Sequence, residues 1–353
     1  MWEPAPAAVR TADEATFAAL LERYRRQLHV HCYRMLGTVE DADDAVQETF
    51  LGAWRGRRRF EGRASFRTWL YRIATNACFR TLRRSARRMT VPEISEPVTV
   101  DSDWRDPPSE PPSAPEGIRW LGPYPDRLLE PAAPHEDQPE ELAVARETIE
   151  LTYMAAIQHL PPRQRAVVVL CHTLGWSANE AAAVLNTSVA SVNSALQRAR
   201  ATLQARLPGP RQDWALERTP TDEESELLRR FMAAWERADA PALVAMMRED
   251  VRWAMPPAPL WFDGRDAIAK LFDAFPIGWN GELRVLASAA NRQPAMATYI
   301  RPPGGSVFRL AVLTVLRIQE GGIVELTNFA PDLLGGFGLP PTMTTSGRHE
   351  DPR

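Results

Sequence analysis

Cysteine is scarce in this chain: Cys32, Cys78 and Cys171 are the three among 353 residues. They lie far apart and form no Cys-x-x-Cys pair, which excludes a disulfide framework and a zinc ribbon and leaves buried free thiols. His29, His31 and Cys32 stand close together, but in an apolar helical stretch with no second cluster to complete a metal site, so no metal and no cofactor are expected. No run approaches the ~20 apolar residues of a membrane span. Met1-Trp2-Glu3-Pro4 also lacks the basic-then-apolar start of a secretion signal, so a cytoplasmic protein without membrane contact is expected. Histidine is missing from Thr221 to Pro331, which removes the commonest general acid and base from that stretch.

What is present reads as a soluble chain of two or three domains, with 44% apolar and 25% charged residues. The formal net charge of −3 is a poor average for a nucleic-acid binder. The charge is segregated, however. Between Arg55 and Arg88 twelve arginines face one acid, Glu61, whereas Val91 to Glu141 is crowded with Asp and Glu and has only Arg105, Arg119 and Arg127. A near-neutral mean thus hides one basic surface and one acidic segment.

Residues 13–88 read as amphipathic helices broken at Gly37-Thr38 and near Gly62. Residues 89–141 are Pro-rich, acidic and aperiodic, the composition of a linker that cannot bury enough surface to fold alone. Residues 142–207 return to helix. Over 221–331 a helix from Asp222 to Ala238 and a short one from Pro241 precede a strand at Val251–Met255, a helix from Gly264 to Phe275 and three or four more strands. Glu320-Gly321-Gly322 supplies the positive φ of a hairpin turn. Residues 332–353, those from Pro340 above all, are expected to be a disordered tail. The fold class is therefore two all-α domains followed by an α+β domain.

In Phe66 to Leu82 the apolar residues Phe66, Trp69, Leu70, Ile73, Ala74 and Ala77 recur on one helix face, and Arg72, Asn76, Arg80 and Arg83 recur on another. A row of long cations suits a phosphate backbone, because each neutralised phosphate releases counterions. Before it lies a short polar loop, Phe60 to Ser65, hinged at Gly62. Upstream, Glu40 to Phe50 is an acidic helix start, with carboxylates near the positive end of the helix dipole.

Two motifs, Asp41-Ala42-Asp43-Asp44-Ala45-Val46-Gln47-Glu48-Thr49-Phe50 and Phe66-Arg67-Thr68-Trp69-Leu70-Tyr71-Arg72-Ile73-Ala74-Thr75-Asn76, together resemble region 2 of the extracytoplasmic-function sigma factors of the sigma-70 family. The resemblance implies that Asp41, Asp44, Gln47, Glu48, Phe50 and Trp54 meet core RNA polymerase at its β′ clamp helices. It also implies that Phe60, Glu61, Arg63 and Ser65 shape a pocket for a flipped base of the minus-ten element. Trp69, Arg72, Asn76, Arg80 and Arg83 would then support the single strand. Extruding a base costs a few kcal/mol of unstacking, which stacking and backbone contacts offset. Trp69 also belongs to the buried face, so a core role stands beside its DNA role.

Trp176 to Leu185, a break at Asn186-Thr187 and a second helix from Ser188 to Leu203 read as a helix-turn-helix. Ser177 and Glu180 have the spacing of a capping box, and Ser188 can cap the second helix. Val192, Ala195, Leu196, Ala199 and Leu203 face inward. That leaves Ser191, Asn193, Ser194, Gln197, Arg198 and Arg200 outward, amide and guanidinium chemistry that suits a major groove. With Leu160-Pro161-Pro162-Arg163-Gln164-Arg165-Ala166-Val167 ahead of it, this segment looks like sigma region 4, which implies reading of the minus-thirty-five element by Ser188 and the outward set, and contact with the polymerase β flap. Asn186 stands where the family has glycine, and Asn tolerates the left-handed conformation. In the family the linker threads the polymerase cleft. Here Ile118-Arg119-Trp120-Leu121-Gly122-Pro123-Tyr124-Pro125 is too aromatic for a spacer and is expected to dock, with the C-terminal domain as candidate.

The element order over 221–331 is similar to the cone-shaped SnoaL-like fold. The acid and histidine pair of its enzymes cannot be assembled without histidine, and Asp250, Asp263 and Asp266 read as strand ends and helix caps. A regulatory module that packs on the sigma domains is expected, with Trp253, Trp261, Phe272 and Trp279 as a candidate pocket for a small-molecule ligand or, equally, as plain core. The reading is a non-enzymatic sigma factor with core RNA polymerase and promoter DNA as partners. Two alternatives stay open: a regulator that binds duplex DNA alone through Asn193 and Arg198, and an enzyme to which the helical part is an appendage.

Overall fold

The computed structural model describes residues 3–84, 87–99, 116–129, 149–207 and 221–344. Two compact units emerge, Met1–Arg88 with Asp126–Arg218, and Met89–Pro125 with Thr219–Arg353.

In the first unit α1 (Pro6–Thr11) leads into α2 (Glu14–Leu36), whose N-cap Asp13 accepts a hydrogen bond from Thr16 N at 2.8 Å. Gly37 ends α2 at φ 87°, where a Cβ would be strained, and Thr38 caps α3 (Val39–Gly56). After the Gly62 loop comes α4 (Phe66–Arg84). The three helices close over Leu28, Leu36, Val46, Leu70, Ala74 and Ala77, all fully buried. Phe66 is the hub of an aromatic cluster, with centroids 6.3 Å from Phe17 and 5.7 Å from Phe60. Such pairs add about 0.5–1.5 kcal/mol each beyond burial.

The other helices of this unit are α5 (Leu151–Gln158), α6 (Pro162–Val168), which continues into a π turn at Val169–Thr173, α7 (Ala178–Leu185) and α8 (Val189–Gln204). Arg165 fastens them to α2. Its Nη1 donates to Met35 O at the C-terminal end of α2 and to Gln158 Oε1, both at 2.5 Å, and its Nη2 donates to Gln158 O at 2.7 Å. A cation at a helix C-terminus meets the negative end of the dipole. Burial pulls this guanidinium down to about 10, so it stays charged at neutral pH.

In the second unit α9 (Asp222–Glu236) opens with a capping box of Thr221 and Glu224 and is followed by α10 (Ala240–Ala245) and, later, α11 (Arg265–Ala274). The chain also forms two-residue strands β1 (Arg88–Met89) and β2 (Arg119–Trp120). The main sheet holds β3 (Met247–Ala254), β4 (Trp261–Asp263), β5 (Glu282–Ala290), β6 (Gln293–Arg301), β7 (Val307–Gln319), β8 (Gly322–Phe329) and β9 (Thr342–Thr344). Its order is β4-β3-β8-β7-β6-β5, parallel between β3 and β8 and antiparallel elsewhere. Glu320 (φ 50°) and Gly321 (φ 75°) make the tight β7–β8 turn. Phe231, Leu243, Ile268 and Phe272 from the helices pack with Met296, Leu316 and Leu326 from the sheet.

Two expectations change. Thr342–Thr344 is a strand rather than tail: β8 pairs β7 only as far as Leu313, so Val307–Arg309 keep a free edge that β9 fills. Residues 345–353 lie outside the described residues. The linker is the second. In its described parts Tyr124 is fully buried, its N donates to Asn291 Oδ1 at 2.7 Å, and Asn291 N returns a bond to Tyr124 O at 2.8 Å. Trp120 and Val91 cluster with Ala254 and Trp261, and Trp261 Nε1 donates to Ser95 O at 2.8 Å. The segment that cannot fold alone borrows the sheet, as the aromatic run at 118–125 leads one to expect. Residues 100–115, 130–148 and 208–220 lie outside the described residues.

Candidate polymerase and nucleic-acid interfaces

Helix α3 presents Asp44, Gln47 and Glu48 to solvent on one face, because Ala42, Ala45, Val46 and Thr49 are buried on the other. Leu51 continues the exposed face at i+3 and i+7 and is 55% exposed. Sequence reasoning missed it, although its spacing from Asp44 and Glu48 was there to be read. Asp41 is less available: it pairs with Arg88, with both side chains mostly buried. Phe50 lies under the Arg25 guanidinium at 4.8 Å, and the Arg57 guanidinium sits 3.2 Å above the Trp54 ring. Both aromatics are half-buried, so each offers part of a face.

The loop residues Glu61 and Arg63 are exposed and pair with each other at 2.5 Å. Phe60 is not in a base pocket. It is buried against Phe66 and Trp69, and it supports the loop from beneath because an apolar ring gains more from that cluster than from water. Ser65 is spent as a cap, accepting from Thr68 N at 3.0 Å. Trp69 is half-buried between Phe60 and Phe66. Arg72, Asn76, Arg80 and Arg83 form an exposed row on α4. Arg80 pairs with Glu48 of α3 at 2.7 Å, an exposed ion pair worth at most about 1 kcal/mol and easily exchanged for a phosphate.

The helix-turn-helix is built as its residues dictate. Ser177 and Glu180 form the capping box, Asn186 turns the chain at φ 49°, and Ser188 caps α8 by accepting from Ser191 N at 3.2 Å. Val192, Ala195 and Ala199 are buried, and Ser191, Asn193, Ser194, Gln197, Arg198 and Arg200 are exposed. Ser188 and Ser191 also share a bond between their hydroxyls at 2.9 Å, which leaves the amides and arginines as the freer readers. Next to this motif Trp176 packs on Tyr71 of α4 at 4.8 Å between centroids, with the Arg67 guanidinium 4.9 Å from the Trp176 ring. The N-terminal half of α4 is thus covered on one side, while the row from Arg72 to Arg83 is not.

Comparison with known proteins shows the family to which the chain belongs. Residues 20–88 match the model of sigma-70 region 2, residues 150–203 that of sigma-70 region 4 and residues 228–326 that of the SnoaL-like domain. The ECF RNA polymerase sigma factor SigG of Mycobacterium tuberculosis is 38% identical over 342 residues, 96% of this chain and 87% of that protein. This chain belongs to the extracytoplasmic-function sigma factors. SigW of Bacillus subtilis is 28% identical over 56% of the chain and 92% of its own length. The crystal structure of the M. tuberculosis sigma factor SigJ shares the fold at TM-score 0.57 and 21% identity, covering 92% of this chain and all of that one.

As a sigma factor the chain directs RNA polymerase to promoters, and its two helical regions are the segments that match sigma-70 regions 2 and 4. Its third domain does not bring the four candidate aromatics together in one cluster. Trp253 and Phe272 meet at 5.7 Å, but Trp261 belongs to the linker cluster and Trp279 is 60% exposed beside Phe275. The third member of the aromatic group is Trp235 of α9, 6.0 Å from Trp253 and 6.1 Å from Phe272. Sequence reasoning missed it, although Trp235 follows Phe231 at i+4 on the apolar face that Leu227, Leu228 and Ala234 share. Asp263 pairs across the strands with Arg252 at 3.3 Å, and Asp266 lies in the first turn of α11. Among the described residues no cluster of three or more His, Cys, Asp or Glu is placed to hold a metal ion, and no helix is long and apolar enough to cross a membrane.

Proposed function

We propose that the α3 face of Asp44, Gln47, Glu48 and Leu51 docks on the β′ clamp helices of core polymerase, with Asp41, Phe50 and Trp54 behind it. The α4 row of Arg72, Asn76, Arg80 and Arg83, with Trp69 and the Glu61–Arg63 loop tip, holds the melted minus-ten strand. The α8 face, led by Asn193, Gln197, Arg198 and Arg200, enters the major groove of the minus-thirty-five element, and region 4 also meets the β flap. The observation that carries this is the pairing of exposure with burial: on both α4 and α8 the cationic and amide side chains are exposed while the alternating apolar face is buried.

The C-terminal domain is a non-enzymatic regulatory module. Support comes from its hold on the linker through Tyr124, Trp120 and Ser95, a segment that family members thread into polymerase. Initiation complexes formed with core polymerase on promoter DNA test the DNA assignments. Asn193→Ala and Arg198→Ala are expected to weaken only complexes that need the upstream element. Equal binding of intact duplex by the free protein, without core, would instead favour a stand-alone regulator.

A further inference from the structure

Glu3 to Thr11 lies ahead of the region 2 match, which begins at residue 20, yet it reaches the loop between α3 and α4 at three points. At the start of the loop Arg10 Nη1 donates to Phe60 O at 3.2 Å. In its middle Gly62 turns at φ 73°, and a Cβ there would collide with the Pro6 ring, so that ring lies directly on the Gly62 backbone. At its end the Glu3 carboxylate accepts from Phe66 N, the first amide of α4. The hydrogen-bonded partners are 50 and 63 positions apart in sequence. Ser65 caps Thr68 N, which leaves the Phe66 amide, one of the orphan donors of a helix start, for Glu3.

The six residues of α1 are too few to stay helical in water by themselves, and α1 has no side-chain N-cap. Burial of Pro4 and Val9, packing on the Arg57–Arg59 turn and the three loop contacts hold it in place. A segment fastened to the loop also fastens the loop. Phe60 anchors the loop from beneath, whereas Glu61 to Ser65 are all exposed and the Glu61–Arg63 ion pair lies within the tip itself. Ordering such a loop only when a base enters it would set the backbone entropy of several residues against binding. A loop already held avoids that cost. All three contacts go to loop backbone, so the Glu61 and Arg63 side chains stay exposed beneath no cover.

We propose that Glu3, Pro6 and Arg10 are positioning residues for promoter melting: they hold the loop backbone in the shape that receives an extruded base, and they act through the loop rather than on the strand. The proposal rests on the reading of Phe60 to Ser65 and α4 as the holder of the melted minus-ten strand. It extends that work to a segment outside the sigma-70 match.

The test uses the full-length protein with core polymerase and a fork DNA whose minus-ten strand is already single, taken from a start site located by mapping RNA 5′ ends. 2-Aminopurine, placed at each minus-ten base in turn, reports unstacking by its fluorescence. The Glu3→Ala/Arg10→Ala double variant is expected to bind the fork about three- to tenfold more weakly, with a smaller fluorescence rise at saturation, while core captures it as it does the parent. Its salt slope is expected to stay parental, whereas a direct phosphate contact by Arg10 would lower that slope by about 0.7. The Glu3→Gln/Arg10→Lys variant keeps an acceptor and a donor at the same places and is expected to recover most of the affinity. Amide exchange in the free protein is expected to quicken in the double variant at Gly62 to Phe66 and not along the rest of α4. Unchanged or tighter fork binding, a lowered salt slope, or faster exchange along the whole of α4 overturns the proposal. A parental signal that the double variant matches removes the brace alone; a parent that gives no fluorescence change at any minus-ten base removes the minus-ten reading and the positioning role with it.

Discussion

His31 is fully buried against Tyr71, and its Nε2 lies 3.0 Å from Thr75 Oγ1. Burial, with the nearby Arg34 charge adding to it, pushes its pKa down to about 3. Below a pH of about 6.5 the unfolded chain takes up a proton that the native imidazole refuses. Stability is therefore lost as pH falls through the window from about 6.5 to about 3, by up to about 1.4 kcal/mol per pH unit for this one group. Urea midpoints at pH 7 and pH 5 check this: His31→Phe is expected to flatten the slope, since Thr75 keeps its own bond to Tyr71 O. Arg72→Ala belongs to the same scale. It is expected to lower the salt slope of open-complex formation by about 0.7 to 0.9, the loss of one phosphate contact. Exposure of single residues was legible in the sequence wherever a helix period set it, as for Asn76 and Asn193. It was not legible for Phe60, whose cluster draws on three separate elements, nor for Asp41, whose partner Arg88 is 47 positions away.

At the scale of elements, local chemistry explains most helix ends. The Ser177–Glu180 box, the Ser188 cap and the left-handed Asn186 stand where side-chain type alone puts them. Replacing Asn186 with valine is expected to destabilise the helix-turn-helix by about 1 to 2 kcal/mol, because a β-branched side chain resists φ 49°. Arg165→Ala is expected to cost about 3 kcal/mol in urea titration, since it leaves the Met35, Gln158 and Leu160 carbonyls without their shared donor. That role could not be read from the sequence: the arginine sits in a run that looks like surface, and its partner on α2 is 130 residues away. The strand at Thr342–Thr344 escaped for a similar reason, since it exists only because β7 outruns β8.

At the scale of the whole molecule, two facts combine. The chain carries two helices, α4 and α8, whose cationic and amide side chains are exposed, and the linker between them is held in its described parts by the C-terminal sheet. Removing residues beyond Pro208 is expected to change promoter-dependent transcription several-fold, and an unchanged rate would remove the regulatory reading. The most direct measurement of the central claim is transcription from sheared genomic DNA by purified core polymerase, with and without the full-length protein, followed by sequencing of RNA 5′ ends. Added protein should gather the ends at sites that share paired upstream elements, and Asn193→Ala with Arg198→Ala should scatter them again. Ends distributed as with core enzyme alone, together with no capture of the protein by core, would contradict the account.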